Sequence, residues 1–250
     1  MKKRGQWQGM WTVVQLNWPH YLIATLVCLG VFVGMVCFGN PLFRLGCMVV
    51  WLGLVYFVVV SLIVSHWVYD SSDLYKWGWL DHVWKGGSPP RAVICHSGFD
   101  EVSEPLRELW PQTSWQILDH FDAAIMPEPS IARARRWYPP SKETISAPFH
   151  RWPISEKSAD LVFGLLAIHE LRSESERTAW FAEAYRCLEV GGRVVLVEHL
   201  RDLANFLVFG PHYVHFHSET SWRTCWEAVG FRVIEDFPIT PFVRVFVLEK

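Results

Sequence analysis

The chain has 250 residues, of which 51% are hydrophobic and 19% charged. A soluble domain carries nearer about 25% charged residues, so part of this chain is expected in lipid. The formal net charge of -2 gives no electrostatic basis for a nucleic-acid partner.

Residues 21–39 (YLIATLVCLGVFVGMVCFG) and 45–65 (LGCMVVWLGLVYFVVVSLIVS) contain no charged side chain. Each has the length needed to cross a hydrocarbon core of roughly 30 Å at about 1.5 Å per residue. The NPLFR connection between them, with Pro41 as a breaker, is short enough to require an antiparallel hairpin. A signal peptide followed by a buried helix fits less well: the first run is long, lacks a small-x-small cleavage site, and is followed by a second span. Lys2, Lys3 and Arg4 precede the first span, Arg44 stands alone in the turn, and Lys76, Lys85 and Arg91 follow the second. This asymmetry places both termini in the cytosol of an inner-membrane protein. Trp7, Trp11, Trp18, Trp51, Trp67, Trp77, Trp79 and Trp84 gather around this region, as Trp does at membrane–water interfaces. The expected organisation is thus an anchor over residues 1–66, an interfacial linker over 67–90 ending in GGSPP, and a second domain over 91–250.

From Arg91 the pattern alternates. RAVICH is a buried strand, EVSEPLRELW an amphipathic helix, WQILDH a strand ending in Asp119, and SIARARRWY a short helix. ADLVFGLLAIHE is a strong apolar strand with a polar end. Ser173 to Leu188 has helical periodicity, and a Gly-Gly turn then leads into RVVLVEHL. SETSWRTCWEAVGF is a helix closed by Gly230, and FRVIEDF and FVRVFVLE are two closing strands. Near-continuous apolar strands alternating with helices imply an α/β, doubly wound, mostly parallel sheet. The final strand, with no helix before it, is expected as an antiparallel partner at or near an edge. Ligands of such sheets bind beyond the carboxyl ends of the strands. The residues to examine are therefore His96–Asp100, Asp119–Asp122, His169–Arg172 and Glu198–Asp202.

Cys28, Cys37, Cys47, Cys95, Cys187 and Cys225 form no CxxC pair and read as reduced, small hydrophobes. His212, His215 and His217 have no familiar zinc spacing, and no metal site is expected from them. Asn205, Phe206 and Phe209 offer an apolar lid for a lipid tail, or ordinary helix packing.

The run Asp160–Glu170, Arg186–Gly192, Val194–Glu198 resembles the class I S-adenosylmethionine (SAM) dependent methyltransferases, in particular the type 11 group that includes quinone methyltransferases. The resemblance covers residues 91–250. It implies a Rossmann-like sheet, SAM as cofactor, and an acid at the end of the second strand that takes the ribose hydroxyls, here Asp119 with Asp122 behind it. The family's GxGxG loop is altered. Ile94 stands for the strand-one acid, His96 for the first Gly and Asp100 for the third, and only Gly98 remains. SAM would then be held by His96, Gly98, Asp100, Glu101, Asp119 and Asp122. Methyl transfer needs alignment and sometimes a base. The candidates are His169 and Glu170 beyond the fourth strand and Glu198 and His199 beyond the fifth, with a salt-bridged strand end as the structural alternative. An anchor favours a lipophilic acceptor, such as a quinone, lipid or isoprenoid, with the bilayer as the other partner. Two other readings share the resemblance: a SAM-using transfer other than methylation, such as quinone amination, and a non-catalytic membrane scaffold on this fold. The oligomeric state is not legible.

Overall fold

The computed structural model describes residues 4–250, so Lys2 and Lys3 of the basic amino-terminal cluster lie outside the described residues. Helix α1 (Gln8–Leu16), which the sequence pattern did not disclose, precedes two long apolar helices, α2 (Trp18–Cys37) and α3 (Pro41–His66). Helix α3 runs on through a π turn at Trp67–Ser71. Pro41 does not break the chain but starts α3. The Asn40 side chain accepts hydrogen bonds from the Leu42 and Phe43 amides, and proline at the first helical position has no N–H to leave unpaired. Only residues 38–40 separate the two helices, which pack against each other as an antiparallel hairpin. Both are long and apolar enough to cross a membrane. Leu22, Ile23, Leu26, Leu29 and Val33 on α2, and Val49, Val50, Leu52 and Ile63 on α3, face outward uncovered.

The rest of the chain forms a seven-stranded sheet in the order β3-β2-β1-β4-β5-β7-β6. The strands are β1 (Arg91–His96), β2 (Ser114–Asp119), β3 (Thr144–Ser146), β4 (Ala159–Leu165), β5 (Leu188–His199), β6 (Arg232–Thr240) and β7 (Val243–Glu249). The first five pair in parallel, and β7 runs antiparallel between β5 and β6. The last strand thus sits one place in from the edge that β6 occupies. Strand β3 is three residues long, too short to show a period, and was not foreseen. The expected Gly-Gly turn is instead a bulge inside β5, where the register slips between Ala159 and Leu161.

Successive side chains alternate faces along a strand, and the sheet has two separate cores. Val93 and Cys95 point into one, with α7 (Glu174–Cys187) and α9 (Glu219–Val229) supplying Trp180, Phe181, Trp222 and Trp226. Helix α7 begins with a capping box, Ser173 with Glu176, and α9 ends on left-handed Gly230. Ala92 and Ile94 point into the other core. That face is covered by α5 (Ser103–Leu109) and by the segment expected to lie on a membrane surface, which carries the short helix α4 (Leu80–Val83). Val64, Val68, Leu74, Trp77, Trp79, Leu80 and Val83 are all buried there, and the Trp79 indole donates to the Leu74 carbonyl at 3.1 Å. The tryptophans of this stretch therefore divide. Trp7, Trp11, Trp18 and Trp67 are exposed near helix ends, while Trp77 and Trp79 are core residues. All six cysteines are free.

The boundary at residue 91 is consequently not a folding boundary. A chain beginning at Arg91 exposes the face formed by Ile94, Leu161, Phe163, Val195 and Val247, which is fully buried in the whole molecule. It is expected to aggregate or to lack a cooperative thermal transition, whereas a chain beginning near residue 60 keeps the covering segment. Solubility and a thermal melt of the two truncations distinguish these outcomes.

Candidate functional site

A cavity of about 660 Å³ opens at the carboxyl ends of β1, β4 and β5. Its floor carries His96, Glu101, His169, Glu170 and His199, and its roof is the amino-terminal helices, through Val13, Leu16, Tyr21, Leu54, Phe57 and Val58. The roof is fastened at several points. The Asp70 carboxylate accepts the Gly9 and Met10 amides at 2.6 and 3.0 Å, which holds the first turn of α1 against the end of α3. Gly9 lets the two backbones meet, since a Cβ there would stand 2.3 Å from the Cβ of Tyr69. Arg4 reaches Glu101 at 3.3 Å and lies over the Tyr75 ring, whose hydroxyl also donates to Glu101 at 3.2 Å. The Arg133 guanidinium donates to the Leu16 carbonyl at 2.6 Å. Burial pushes the Glu101 carboxyl up, against the pull of Arg4 and Tyr75.

Three of the four catalytic candidates form one chain of contacts. Glu198 is completely buried and accepts the amides of Ile168 and His169 on one oxygen, at 2.9 and 3.2 Å. Its other oxygen takes the His169 Nδ1–H at 2.7 Å. His169 Nε2 faces Glu170 Oε1 at 3.4 Å, and His215 Nε2 faces the same oxygen at 3.3 Å. Burial opposes the charge of His169, but the Glu198 and Glu170 carboxylates outweigh it and raise the imidazole to about 10. Burial raises the Glu170 carboxyl, yet the hydrogen bonds from His169 and His215 hold it below the ordinary carboxylate range. Glu198 is thus a positioning group behind His169, outside the cavity wall.

His199 stands apart from this chain. Its Nδ1 meets the Phe242 carbonyl at 2.8 Å, so Nδ1 carries the proton and Nε2 accepts the Tyr69 hydroxyl at 2.8 Å. Burial pushes His199 down to about 4, leaving a neutral imidazole that fixes the Tyr69 hydroxyl at the cavity.

The residues proposed for the cofactor divide. His96 and Glu101 line the cavity. His96 is buried, both its ring nitrogens lack hydrogen-bond partners among the described residues, and burial lowers its pKa. Gly98 has a φ of +91°, and its amide donates to Asp119 Oδ1 at 2.9 Å. A side chain there would meet Ile131, Phe121 and Arg135 within 2.8–3.2 Å. Asp119 is buried and engaged on both oxygens. It accepts from Gly98 N, from Phe121 N at 3.0 Å and from the Arg135 guanidinium, which itself lies 4.4 Å above the Phe121 ring. Asp100 caps the start of α5 through the Val102 and Ser103 amides, and exposed Asp122 closes its own turn onto Ala124 N. Neither faces the cavity. Of the proposed lid, Phe209 lines the cavity, Phe206 is exposed, and buried Asn205 holds the Phe242 carbonyl at 3.2 Å.

Sequence reasoning missed Tyr69, Tyr75 and Arg135, which come from the linker and from α6 (Pro129–Trp137). Nothing local marks them, because each meets its partner only through the tertiary fold. The three histidines near residue 215 also separate. His215 joins Glu170, His212 lies on the cavity wall, and His217 is buried with its Nε2 3.1 Å from the His169 carbonyl.

Two predictions follow from these contacts. Asp119→Ala strands the buried Gly98 amide, the half-buried Phe121 amide and Arg135, so it is expected to lower stability by about 1–3 kcal/mol in a denaturant titration, and it is a poor test of binding alone. His120, like His199, is pushed down by burial to about 4, while each is near 6.5 in the unfolded chain. Below about 6.5 the unfolded chain takes up these protons and the folded one does not. Stability is therefore expected to fall as pH drops from about 6.5 toward 4, read as a falling thermal midpoint.

Residues 123–196 match a family described as a methyltransferase domain. No curated protein matches the chain by sequence. The [4+2]-cyclase SpnF superposes with a TM-score of 0.50 at 12% identity, over 74% of this chain and 83% of that one. A SAM-dependent methyltransferase from Methanosarcina mazei gives a TM-score of 0.49 at 14% identity, over 68% of this chain and 96% of that one. Human N-acetylserotonin methyltransferase in complex with SAM gives 0.49 at 16% identity, over 77% of this chain and 55% of that one. Residues 123–196, which run from α6 through β4 and α7 into β5, are thus similar to a methyltransferase domain, and the strand order gives the chain a Rossmann-like, mostly parallel sheet.

Proposed function

We propose that the chain is a membrane-anchored SAM-dependent methyltransferase acting on a lipophilic acceptor, with its catalytic domain on the cytosolic side of the inner membrane. The observation that carries this reading is the roof of the cavity. Tyr21, Ala24, Leu54, Phe57 and Val58 line the cavity from the two helices whose outward faces are uncovered and apolar. A quinone, lipid or isoprenoid moving along α2 and α3 reaches the strand ends without crossing water. Helix α8 (Leu203–Phe209) and the turn after it add a rim of exposed Leu203, Leu207 and Val214 beside α3. Phe57 packs against Gly210 and the Tyr56 hydroxyl donates to the Leu207 carbonyl at 3.2 Å.

The residues fit SAM at the end of β1, where the unpartnered His96 ring and the Glu101 carboxylate face the cavity. Its volume lies within the roughly 300–1,000 Å³ usual for small-ligand sites. Asp119 would take the ribose hydroxyls only after releasing Arg135. When bound, SAM supplies an activated methyl group. The chain's own contribution is to orient the acceptor under the apolar roof and exclude water. The Tyr69 hydroxyl, whose proton is held by His199 Nε2, presents its oxygen at the cavity wall. The glycine loop, closed by Ile131 and Arg135, gives weight to the non-catalytic scaffold as the second reading.

The test is incubation of detergent-purified protein with methyl-labelled SAM and a membrane lipid extract. Label in the organic phase, with a product heavier by one methylene unit, is the expected result. A product formed by amine exchange would keep SAM but replace the reaction. Folded protein that neither binds SAM nor labels any lipid leaves the scaffold.

A further inference from the structure

We propose that His169, Glu170 and His215 hold a divalent first-row transition-metal ion on the wall of the cavity, with Glu198 positioning His169 behind it. The three donor atoms lie within 4.8 Å of one another. Metal bonds of about 2.1 Å at a tetrahedral angle separate neighbouring ligand atoms by about 3.4 Å. His169 Nε2 and His215 Nε2 stand 3.4 and 3.3 Å from Glu170 Oε1. These separations, at the long end for hydrogen bonds, are also those of ligands of a common ion.

The tautomer of His169 supports the same conclusion. Glu198 accepts two backbone amides and the Nδ1–H of His169, which leaves Nε2 as the ring atom directed at Glu170 Oε1, where an ion would take the place of the proton between them. A carboxylate behind a ligating imidazole is also how proteins orient metal-bound histidine. The local charge fits a divalent ion. Glu128, Glu170 and Glu198 are three carboxylates, and Arg172 is the one guanidinium among them, at 3.6 Å from Glu128 and 3.5 Å from Glu170. With both imidazoles neutral the cluster carries a net charge of -2, which a divalent ion would balance. Arg172 also bonds the His215 carbonyl at 2.7 Å, which fixes the turn carrying that ligand, and its guanidinium stands 2.8 Å from His215 Nε2, so it must move aside when the ion enters.

Two imidazoles and one carboxylate suit zinc, iron(II) or manganese(II), and leave at least one coordination position open. That position faces the cavity, since all three ligands line it. An oxygen of a bound acceptor would be the natural fourth ligand.

The experiment uses the full chain, purified in detergent without a histidine tag, stripped with chelator and titrated with cobalt(II) and zinc(II). Elemental analysis of the wild type is expected to give about one ion per chain, with visible cobalt bands that zinc abolishes. His215→Ala and Glu170→Gln should each weaken binding at least tenfold. Glu198→Gln, which removes only the positioning carboxylate, should weaken it about 10–100-fold. His212→Ala, on the same cavity wall but outside the cluster, should bind as the wild type. Should a variant fail to fold, the wild type decides alone, because a bound ion must raise its thermal midpoint with metal concentration. Folded wild type that takes up no ion, or variants that bind as tightly as wild type, would overturn the proposal. Neither result bears on SAM binding, which is measured separately.

Discussion

A sheet flanked by helices must bury both faces, and here one face is buried by the chain's own amino-terminal segment. Val64, Val68, Leu74, Trp77, Trp79, Leu80 and Val83 form a continuous apolar ribbon from the end of α3 into the domain. Because this ribbon is core, α3 cannot swing relative to the sheet without exposing Ile94, Phe163 and Val195. The fixed angle of α3 brings α1 over the strand ends, and Asp70 and Gly9 lock it there. The cavity exists because of that constraint. Without it the carboxyl ends of β1, β4 and β5 would be an open shelf.

The alternation of strands and helices was legible in the sequence because each buried strand is a short apolar run and each helix has a clear stripe. Residues 160–198 carried the family likeness for the same reason, and the family match, over residues 123–196, includes most of them. Other features were not legible. Strand β3 is too short for any period, and α1 has no charge pattern to set it apart from the span that follows. The linker failed as a prediction in a more instructive way. A run rich in Trp, Tyr and charge has the composition of a membrane interface, and equally that of a half-covered core layer with polar edges. Only the presence of an uncovered sheet face decides between them, and that is a tertiary fact.

The same distinction applies to the site. His169, Glu170, Glu198 and His199 were legible as polar strand ends, but their division of labour was not. Glu198 holds His169, Glu170 joins it to a histidine 45 residues away, and His199 serves Tyr69 instead. On the cofactor side, Asp119 was correctly placed at the end of β2, yet its oxygens are spent on Gly98, Phe121 and Arg135. The loop lies tight against α6, with Gly98 packed on Ile131 and Arg135, and Asp119 is bonded to both the loop and that helix.

The roof over the cavity has a kinetic consequence. In the proposed anchored form, the acceptor enters from between α2 and α3, so enzyme and acceptor meet in two dimensions. The quantity that sets the rate is then the mole fraction of acceptor in the bilayer, not its amount per litre. Adding inert phospholipid at constant total acceptor would slow turnover by surface dilution, while diluting the whole suspension with buffer would not.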